Sequence, residues 1–420
     1  MFAGANFNIG GNLCNRGIGR VGMVERLVGA RRDDYKRHYD RKKCMPNGKP
    51  GPLAGIRVLD FTTLLPGPMA TLLLAEAGAE VIKIEHPDGE NMRRFKPYWG
   101  KESVMFAMLN RGKKSVAADL KDPWVRGRVL ALANTADVVV EQFRPGVMDR
   151  LGLGYGAMSA VNPKIIYCAI TGYGQSGPRS NRAGHDLNYI GDAGLLALSS
   201  GSPGQRVVPP ALIADIAGGS YPAVMNILLA LRQREASGQG CFVDVSMTEG
   251  VFPFVYWAIG AGLAAGAWPH DGAERITGGS PRYHLYETCD GKVACVAALE
   301  QKFWEAFAAA IELEAVYIDD ERDPRATIAR VREIIATKTA AEWEPLFEKA
   351  DCCCSIMRDI CAALDDPHFK ARGLFARKLV NEKDDTLPAT PVPIDRTLRT
   401  GGLADAAAPA LGAHNAEFGF

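Results

Sequence analysis

The sequence predicts an α/β chain: a large domain with a mostly parallel, doubly wound sheet, followed by a smaller α+β domain. Three observations carry this. Short apolar runs alternate with helical segments from about residue 51 to 246. The first two runs enclose a helix within about 30 residues, the length of a right-handed parallel crossover. After about residue 280 the texture changes to a hairpin followed by helices.

The elements follow in order. "IRVLDF" is a compact apolar run of strand type, "PMATLLLAEAGA" has helical spacing and good helix formers, and "EVIKIE" is a second strand ending on the acid Glu85. "KSVAADL", "DVVVEQF" and "KIIYCAITG" read as further strands, with "WVRGRVLALANTA" and "GYGAMSAVNP" as helices between them. "GSYPAVMNILLALRQREASGQG" is a long helix ending at Gly238 or Gly240, before the strand "CFVDVSM". Alternation of this kind makes a layered, Rossmann-like fold. "YHLYETCDGKVACVAA" reads as an antiparallel hairpin turning at Asp290-Gly291, and helices follow to about residue 365.

Composition bounds the function. With 420 residues and 47% apolar content the chain can bury a large core. Its 49 basic and 48 acidic residues leave a net charge of +1, against the basic excess of a general nucleic-acid binder. A local basic pocket for one anionic ligand remains compatible with that balance. The ten cysteines have neither disulfide nor zinc spacing, so a reduced, intracellular and cytoplasmic protein without a metal site is expected. Three consecutive cysteines, Cys352 to Cys354, read as a packed helix start. Residues 251 to 268 are 18 uncharged residues, just long enough to cross a bilayer. They are rich in Ala and Gly and broken by Pro253, so a buried or oligomer-interface helix is expected, with no membrane span. The first 50 residues hold eleven Lys or Arg and four acids and read as a basic extension. Its first 24 residues lack acids, as mitochondrial presequences do, while the terminal "EFGF" lacks the peroxisomal tripeptide.

A strand-helix-strand unit ending on an acid also invites a nicotinamide reading. The turn that should grip the pyrophosphate is "FTTLLPGPMAT", one glycine between Pro66 and Pro68. Neither proline has an N–H to donate to phosphate, so the dinucleotide grip is missing.

Several blocks together resemble the class III coenzyme A transferase family: "PLAGIRVLDFTTLLPGPMATLLLAEAGAEVIKIE", "LNRGKKSVAADLK", "EQFRPGVMDRLGLGY", "NPKIIYCAITGYGQSGP" and "GGSYPAVMNILLALRQREASGQGCFVDVSM". The resemblance runs from about residue 51 to 415. It implies an acyl-CoA substrate, with no cofactor beyond the CoA moiety, and an interlocked homodimer. The active site would then lie between the large domain of one chain and the small domain of the other. The expected division is an extension over 1–50, a large CoA-binding domain over 51–245 and 388–420, a linker helix region over 246–280, a small domain over 281–366 and a return linker over 367–387.

Within that family the residues point to the α-methylacyl-CoA racemase branch. Transferases carry an aspartate nucleophile in a Gly-Tyr-Asp-like setting; here "GHDLNY" has His185 in the tyrosine position. The resemblance implies a catalytic set of His185, Asp215 in "LIADIAGGS" and Glu300 in "AALEQKFW", beside Asp186. The chemistry explains the residue types. A hydrogen beside a thioester carbonyl is weakly acidic; removing it takes a base on one face and stabilisation of the enolate oxygen. Inversion takes a proton donor on the opposite face, so His185 and Asp215 would exchange roles between stereoisomers. The resemblance has Glu300 orienting His185, and backbone N–H groups near Asp186 are expected to meet the enolate oxygen. For the CoA, Arg144 in "FRPGV" matches a family position; Arg111, Lys113, Arg93, Arg94 and Tyr189 complete the expected binding set.

Plainer readings stand beside these. Asp186 could cap the helix "LNYIGDAGLLAL", Asp215 could cap the next one, and Glu300 could be a solvated loop acid. Two other functions compete. One is CoA transfer between carboxylic acids through an aspartyl intermediate on Asp186; the other is a catalytically silent CoA-binding protein.

Overall fold

The computed structural model describes residues 51–199, 206–270, 272–400 and 406–420. The expected basic extension over residues 1–50 lies outside them. Six strands form the main sheet: β1 (Arg57–Asp60), β2 (Glu80–Glu85), β3 (Lys114–Ala117), β4 (Val138–Glu141), β5 (Ile166–Thr171) and β6 (Cys241–Ser246). They are all parallel, in the order β3-β2-β1-β4-β5-β6. That order reverses direction between β1 and β4, and ligands of such sheets bind outside the carboxyl ends of the strands at that point.

Both faces of the sheet are covered, which is why its strands read as unbroken apolar runs. On one face Val58, Val140, Cys168 and Ile170 pack under helices α1 (Pro66–Glu76) and α4 (Tyr221–Ser237). On the other, Leu59, Val139, Tyr167 and Ala169 pack under α2 (Pro123–Ala133). The short helix α3 (Asp186–Asp192) sits beyond the end of β5. Helix α4 ends at Gly238, whose φ of +71° suits a left-handed cap.

A second core surrounds an antiparallel sheet of β7 (Tyr283–Glu287), β8 (Val293–Ala297) and β9 (Cys354–Ile356), with β8 central. Tyr286 of β7 packs there with Trp304 and Phe307 of α5 (Gln301–Ala310), Val331 and Ile335 of α6 (Pro324–Ile335), and Trp343 and Phe347 of α7 (Ala340–Ala350). The β7–β8 turn falls at Asp290-Gly291, as the sequence predicts, with Gly291 at φ +71°. The cysteine run does not start a helix. Asp351 and Cys353 both take positive φ, which ends α7 and turns the chain so that Cys354 opens β9.

One helical stretch among the described residues, Ala214–Ser237, is long and apolar enough to cross a membrane. Ala223, Ile227 and Ala230 on it are buried in the sheet core, so it is a partly buried core helix. The segment flagged in the sequence breaks in two: a 3-10 stretch, Glu249–Val255, containing Pro253, then a helix, Tyr256–Ala265, closed by Gly266.

Charge is buried beneath the carboxyl edge of the sheet. Asp60, fully buried at the end of β1, accepts from Thr71 Oγ1 at 2.6 Å and Lys113 Nζ at 3.2 Å, and its Oδ1 takes the Thr62 backbone N–H at 2.9 Å. Lys113 Nζ also donates to Thr71 Oγ1, Asn110 Oδ1 and Pro68 O at 2.7, 2.8 and 3.0 Å. Lys83 Nζ donates to Thr62 O at 2.7 Å and lies 3.2 Å from Glu90 Oε1. Burial alone would raise the Asp60 pKa, but Lys113 and Lys83 outweigh it and hold the carboxylate below its ordinary range. Removing one member of such a set strands the other's charge in a dry core. Lys113→Met is therefore expected to lower stability by about 3–5 kcal/mol, read as a lower denaturant midpoint, and an unchanged midpoint would show that the network holds nothing together.

Candidate active site

The loop leaving β1 is closed to a dinucleotide. Pro66 and Pro68 have no N–H, the Gly67 N–H is taken by Gln142 Oε1 at 3.0 Å, and the Leu64 N–H by Glu90 Oε2 at 2.9 Å. Gln142 Nε2 in turn donates to Thr63 O at 2.6 Å, stitching the end of β4 to the loop after β1. Gly67 permits that approach, since a Cβ there would meet Thr62 side-chain atoms at 2.2 Å.

Beside this stitch, at the carboxyl ends of β1 to β4, lies a cavity of about 420 Å³. Phe61, Ile84, Leu120 and Phe143 give it apolar walls; Arg94 and Lys121 bring positive charge, and Glu85, Glu90 and Asp119 also line it, the first two paired with Arg93 and Lys83. Flat apolar walls with cations at the margin suit an aromatic, phosphorylated group. Sequence reasoning nominated Arg94 but missed Phe143, Lys121 and Gln142; their only signal was position just after a predicted strand.

The proton-handling candidates converge past the end of β5. His185 is the N-cap residue of α3; its backbone N–H donates to Asn188 Oδ1 at 3.0 Å and its carbonyl accepts from the Asn188 N–H at 2.8 Å. Its side chain is exposed. Asp186 is the first helical residue and not the cap expected of it in the plainer reading. It is buried, and its Oδ1 accepts the Asp215 backbone N–H at 2.9 Å. Asp215 also caps nothing. It lies inside a π-helical segment, Ala214–Ser220, that runs directly into α4. Wider turns of this kind recur at functional sites because they swing a side chain off the regular helix face. Close packing fixes the segment: Gly218 sits on the Met247 carbonyl, where a Cβ would approach to 2.4 Å, and Ser220 Oγ donates to Pro66 O at 2.7 Å.

Burial pushes the Asp215 carboxyl up to about 6; the neighbouring Asp186 charge adds to this and His185 opposes it. The Asp215 N–H on Asp186 Oδ1, with His185 next to Asp186 in the chain, brings the three residues to one place. Tyr189 braces it from below: its hydroxyl donates to the Gly184 carbonyl, and its ring packs edge-on to Tyr173 at 5.3 Å. Gly172 and Gly184 leave room for the ring, since a Cβ on either would come within 2.7 Å of it. Tyr189 is thus buried and engaged, a brace for the turn before His185 and not an open CoA contact.

The expected CoA cations divide sharply. Arg144 is exposed at the turn after β4, and its charge reaches Tyr189. Arg94 is exposed on the cavity margin, with one donor on Asp88 O at 3.2 Å. Three others are spent inside the protein. Arg93 grips Glu85 through two nitrogens at 2.7 and 2.8 Å and lies over the Phe106 ring. Arg111 binds Glu76 at 2.8 Å and the carbonyls of Met108 and Thr390. Lys113 belongs to the Asp60 network, and burial pushes its pKa down to about 8 against the pull of Asp60. Their charges are neutralised by buried carboxylates, so they hold the fold. The sequence could not show this, because a cation beside a glycine turn looks the same exposed or buried.

Glu300 stands apart in the single chain. It is the N-cap residue of α5, exposed, and among the described residues no hydrogen bond or ion pair joins it to His185. Arg275 and Arg282 both donate to the Leu299 carbonyl, at 2.7 and 3.4 Å, and so fix the backbone just before it.

Comparison with known proteins agrees with this geometry. The chain matches CoA-transferase family III over residues 53–415. It is 31% identical over 357 residues to human alpha-methylacyl-CoA racemase, covering 81% of this chain and 86% of that protein. It is equally 31% identical over 355 residues to acetyl-CoA:oxalate CoA-transferase of Acetobacter aceti, covering 82% and 89%. A solved structure of the hypothetical protein Rv3272 from Mycobacterium tuberculosis superposes with a TM-score of 0.74 at 30% identity, covering 88% of this chain and 99% of that one. With strand order, a crevice at the sheet reversal and a match spanning most of its length, the chain belongs to CoA-transferase family III.

Proposed function

We propose that this protein interconverts the stereoisomers of 2-methyl-branched acyl-CoA thioesters by two-base exchange of the α-hydrogen. The cluster of His185, Asp186 and Asp215 carries the reading. It offers an imidazole and a carboxyl as separate proton carriers, and the carboxyl is tuned to about 6, near the neutral range where a general acid and base work best. The adenosine end of the CoA occupies the cavity lined by Phe61 and Phe143, with Arg94 near its phosphates. Arg144 meets the ligand between that cavity and the cluster. The thioester carbonyl lies near the start of α3, where helix N–H groups support the enolate oxygen. Asp215 takes the α-hydrogen from one face while protonated His185 delivers one to the other; for the opposite isomer the roles reverse.

The competing reading is CoA transfer with Asp186 as nucleophile, an activity that the names of several relatives carry. The Asp186 carboxylate is buried, with one oxygen holding the Asp215 N–H, which fits a group that positions its neighbour better than one that attacks a carbonyl.

The reading extends to a homodimer in which the partner's α5 end brings Glu300 to His185. Large apolar side chains support it: Met225 and Leu229 on α4, and Tyr256, Leu263 and Trp268 beyond it, are more than half exposed in the single chain. Apolar side chains left this exposed suit burial against a second chain.

Three outcomes are expected. In deuterated water, without any acceptor acid, the enzyme puts label on the α-carbon of a 2-methylacyl-CoA. His185→Ala and Asp215→Asn each lower that rate by about 10²–10⁴-fold; label entering only after a second acid is added would establish transfer instead. For the isomer deprotonated by Asp215, the exchange rate falls as pH drops through about 6, because the base is then protonated. A flat profile between pH 5 and 7 would remove Asp215 from the chemistry. Coexpressed His185→Ala and Glu300→Gln chains regain about a quarter of wild-type activity, since half the dimers are mixed and each holds one intact site. No recovery would mean that each chain builds its own site.

A further inference from the structure

We propose that Glu141 is a positioning residue for the CoA thioester, holding the turn that presents Phe143 to the cavity and Arg144 to the reacting end. The inference deepens the proposed function and rests on CoA binding at this edge. Glu141 ends β4 and is buried; its Oε2 accepts the Phe143 backbone N–H at 2.7 Å. The second and third residues after it face the ligand side: Phe143 lines the cavity and Arg144 is exposed. Gln142, between Glu141 and Phe143, is tied to the β1 loop. The turn is therefore pinned on both sides, by Gln142 outward and by Glu141 inward. It closes where the Val147 N–H reaches Arg144 O at 3.1 Å and Gly146 takes φ +77°.

The surroundings make this pin sensitive to pH. Glu141 is in register with Ala169 on β5, and Ala169 with Asp244 on β6, so the two acids share one row across the sheet with only a methyl group between them. Asp149, from the short helix after the turn, is the other acid facing it. Tyr167 and Cys168 are the remaining titratable neighbours, and both are kept neutral by burial. Among the described residues no cation compensates Glu141. Burial, then the charges of Asp149 and Asp244, push its carboxyl up to about 8, against the Phe143 N–H, which favours the charged form. At neutral pH the group is thus a neutral acid accepting one backbone N–H. Above pH 8 it becomes a carboxylate facing two others, and expulsion toward water loosens the turn.

The sign for stability follows. The folded chain keeps this proton between about 4.5 and 8 while the unfolded chain has lost it, so stability falls as pH rises through that window. Glu141→Gln keeps an acceptor for Phe143 and cannot ionise.

The test uses the full-length enzyme with an acyl-CoA substrate at pH 6.5 to 9.5. In wild type, KM for the thioester rises above pH 8 while kcat changes little. In Glu141→Gln that rise is gone. In Glu141→Ala, KM is raised about tenfold across the range, the size of one lost buried hydrogen bond, and kcat stays within about twofold. Hydrogen exchange at the Phe143 amide reads the pin without any substrate: protection is lost in Glu141→Ala and kept in Glu141→Gln. A KM rise that persists in Glu141→Gln, or unchanged CoA affinity in Glu141→Ala, would overturn the positioning role. Wild-type protein with no affinity for CoA thioesters would refute the functional reading itself, whatever the Phe143 amide shows.

Discussion

The carboxylate of Asp60 organises this molecule. It sits at the end of β1 with no access to water, and two lysines from neighbouring segments converge around it. Burying such a set costs several kcal/mol per ion before pairing, so it is weak evidence for added stability. Its effect is geometric. Asp60 holds Thr62 and Thr71, Lys113 holds Pro68, and Lys83 holds Thr62 O, so the loop from β1 into α1 is fixed at both ends. Glu90, paired to Lys83, then holds Leu64 in the middle of that loop. The crevice where the strand order reverses is shaped by a loop that cannot move without stranding a charge.

From that fixed edge the remaining parts follow along the strand ends. The cavity opens beside β1 and β2, Gln142 ties β4 to the β1 loop, and the His185–Asp215 cluster stands beyond β5. On the proposed function, an elongated ligand with an aromatic, charged head and a reactive tail lies along this line, with recognition and chemistry separated along one edge. The buried cations explain why the edge is rigid. Arg93 and Arg111 tie carbonyls of the returning C-terminal segment, Pro409 and Thr390, to the early helices. Farther on, Asn415 pairs both ways with Ala117 and covers the outer strand β3. The C-terminal segment thus covers the edge of a sheet whose six strands all precede it in the chain.

Relatives with racemase and with CoA-transferase names lie at equal identity to this chain. Overall similarity therefore does not separate the two activities, and the side chains beyond β5 are where this chain's own chemistry lies. Here a histidine replaces the tyrosine of the transferase pattern. Asp186 is drawn into the protein by the Asp215 N–H, while Asp215 is turned out of a regular helix by the π segment. Burial sets both the pKa and the reach of each carboxyl, so the two acids differ in what they can do here.

Strands such as "VVVE" and "IYCAIT", the β7–β8 turn at Asp290-Gly291 and the absence of a phosphate-gripping turn between Pro66 and Pro68 were all legible in the sequence. Each depends on local properties: side-chain period, the φ freedom of glycine, the missing N–H of proline. Three-dimensional packing alone decided the rest. Arg93, Arg111 and Lys113 looked like ligand cations and became structural, since whether a charge is free depends on acids brought to it from distant segments. Asp215, read as a catalytic acid with a helix cap as the plainer alternative, lies in a π segment, because its neighbours Gly218 and Gly219 dock against Met247 from another part of the chain. The cysteine run looked like a helix start and opened a strand, because it had to complete a sheet begun about 60 residues earlier. Local sequence fixes what a segment can be; the dielectric around a charge and the partner across a gap belong to the folded whole.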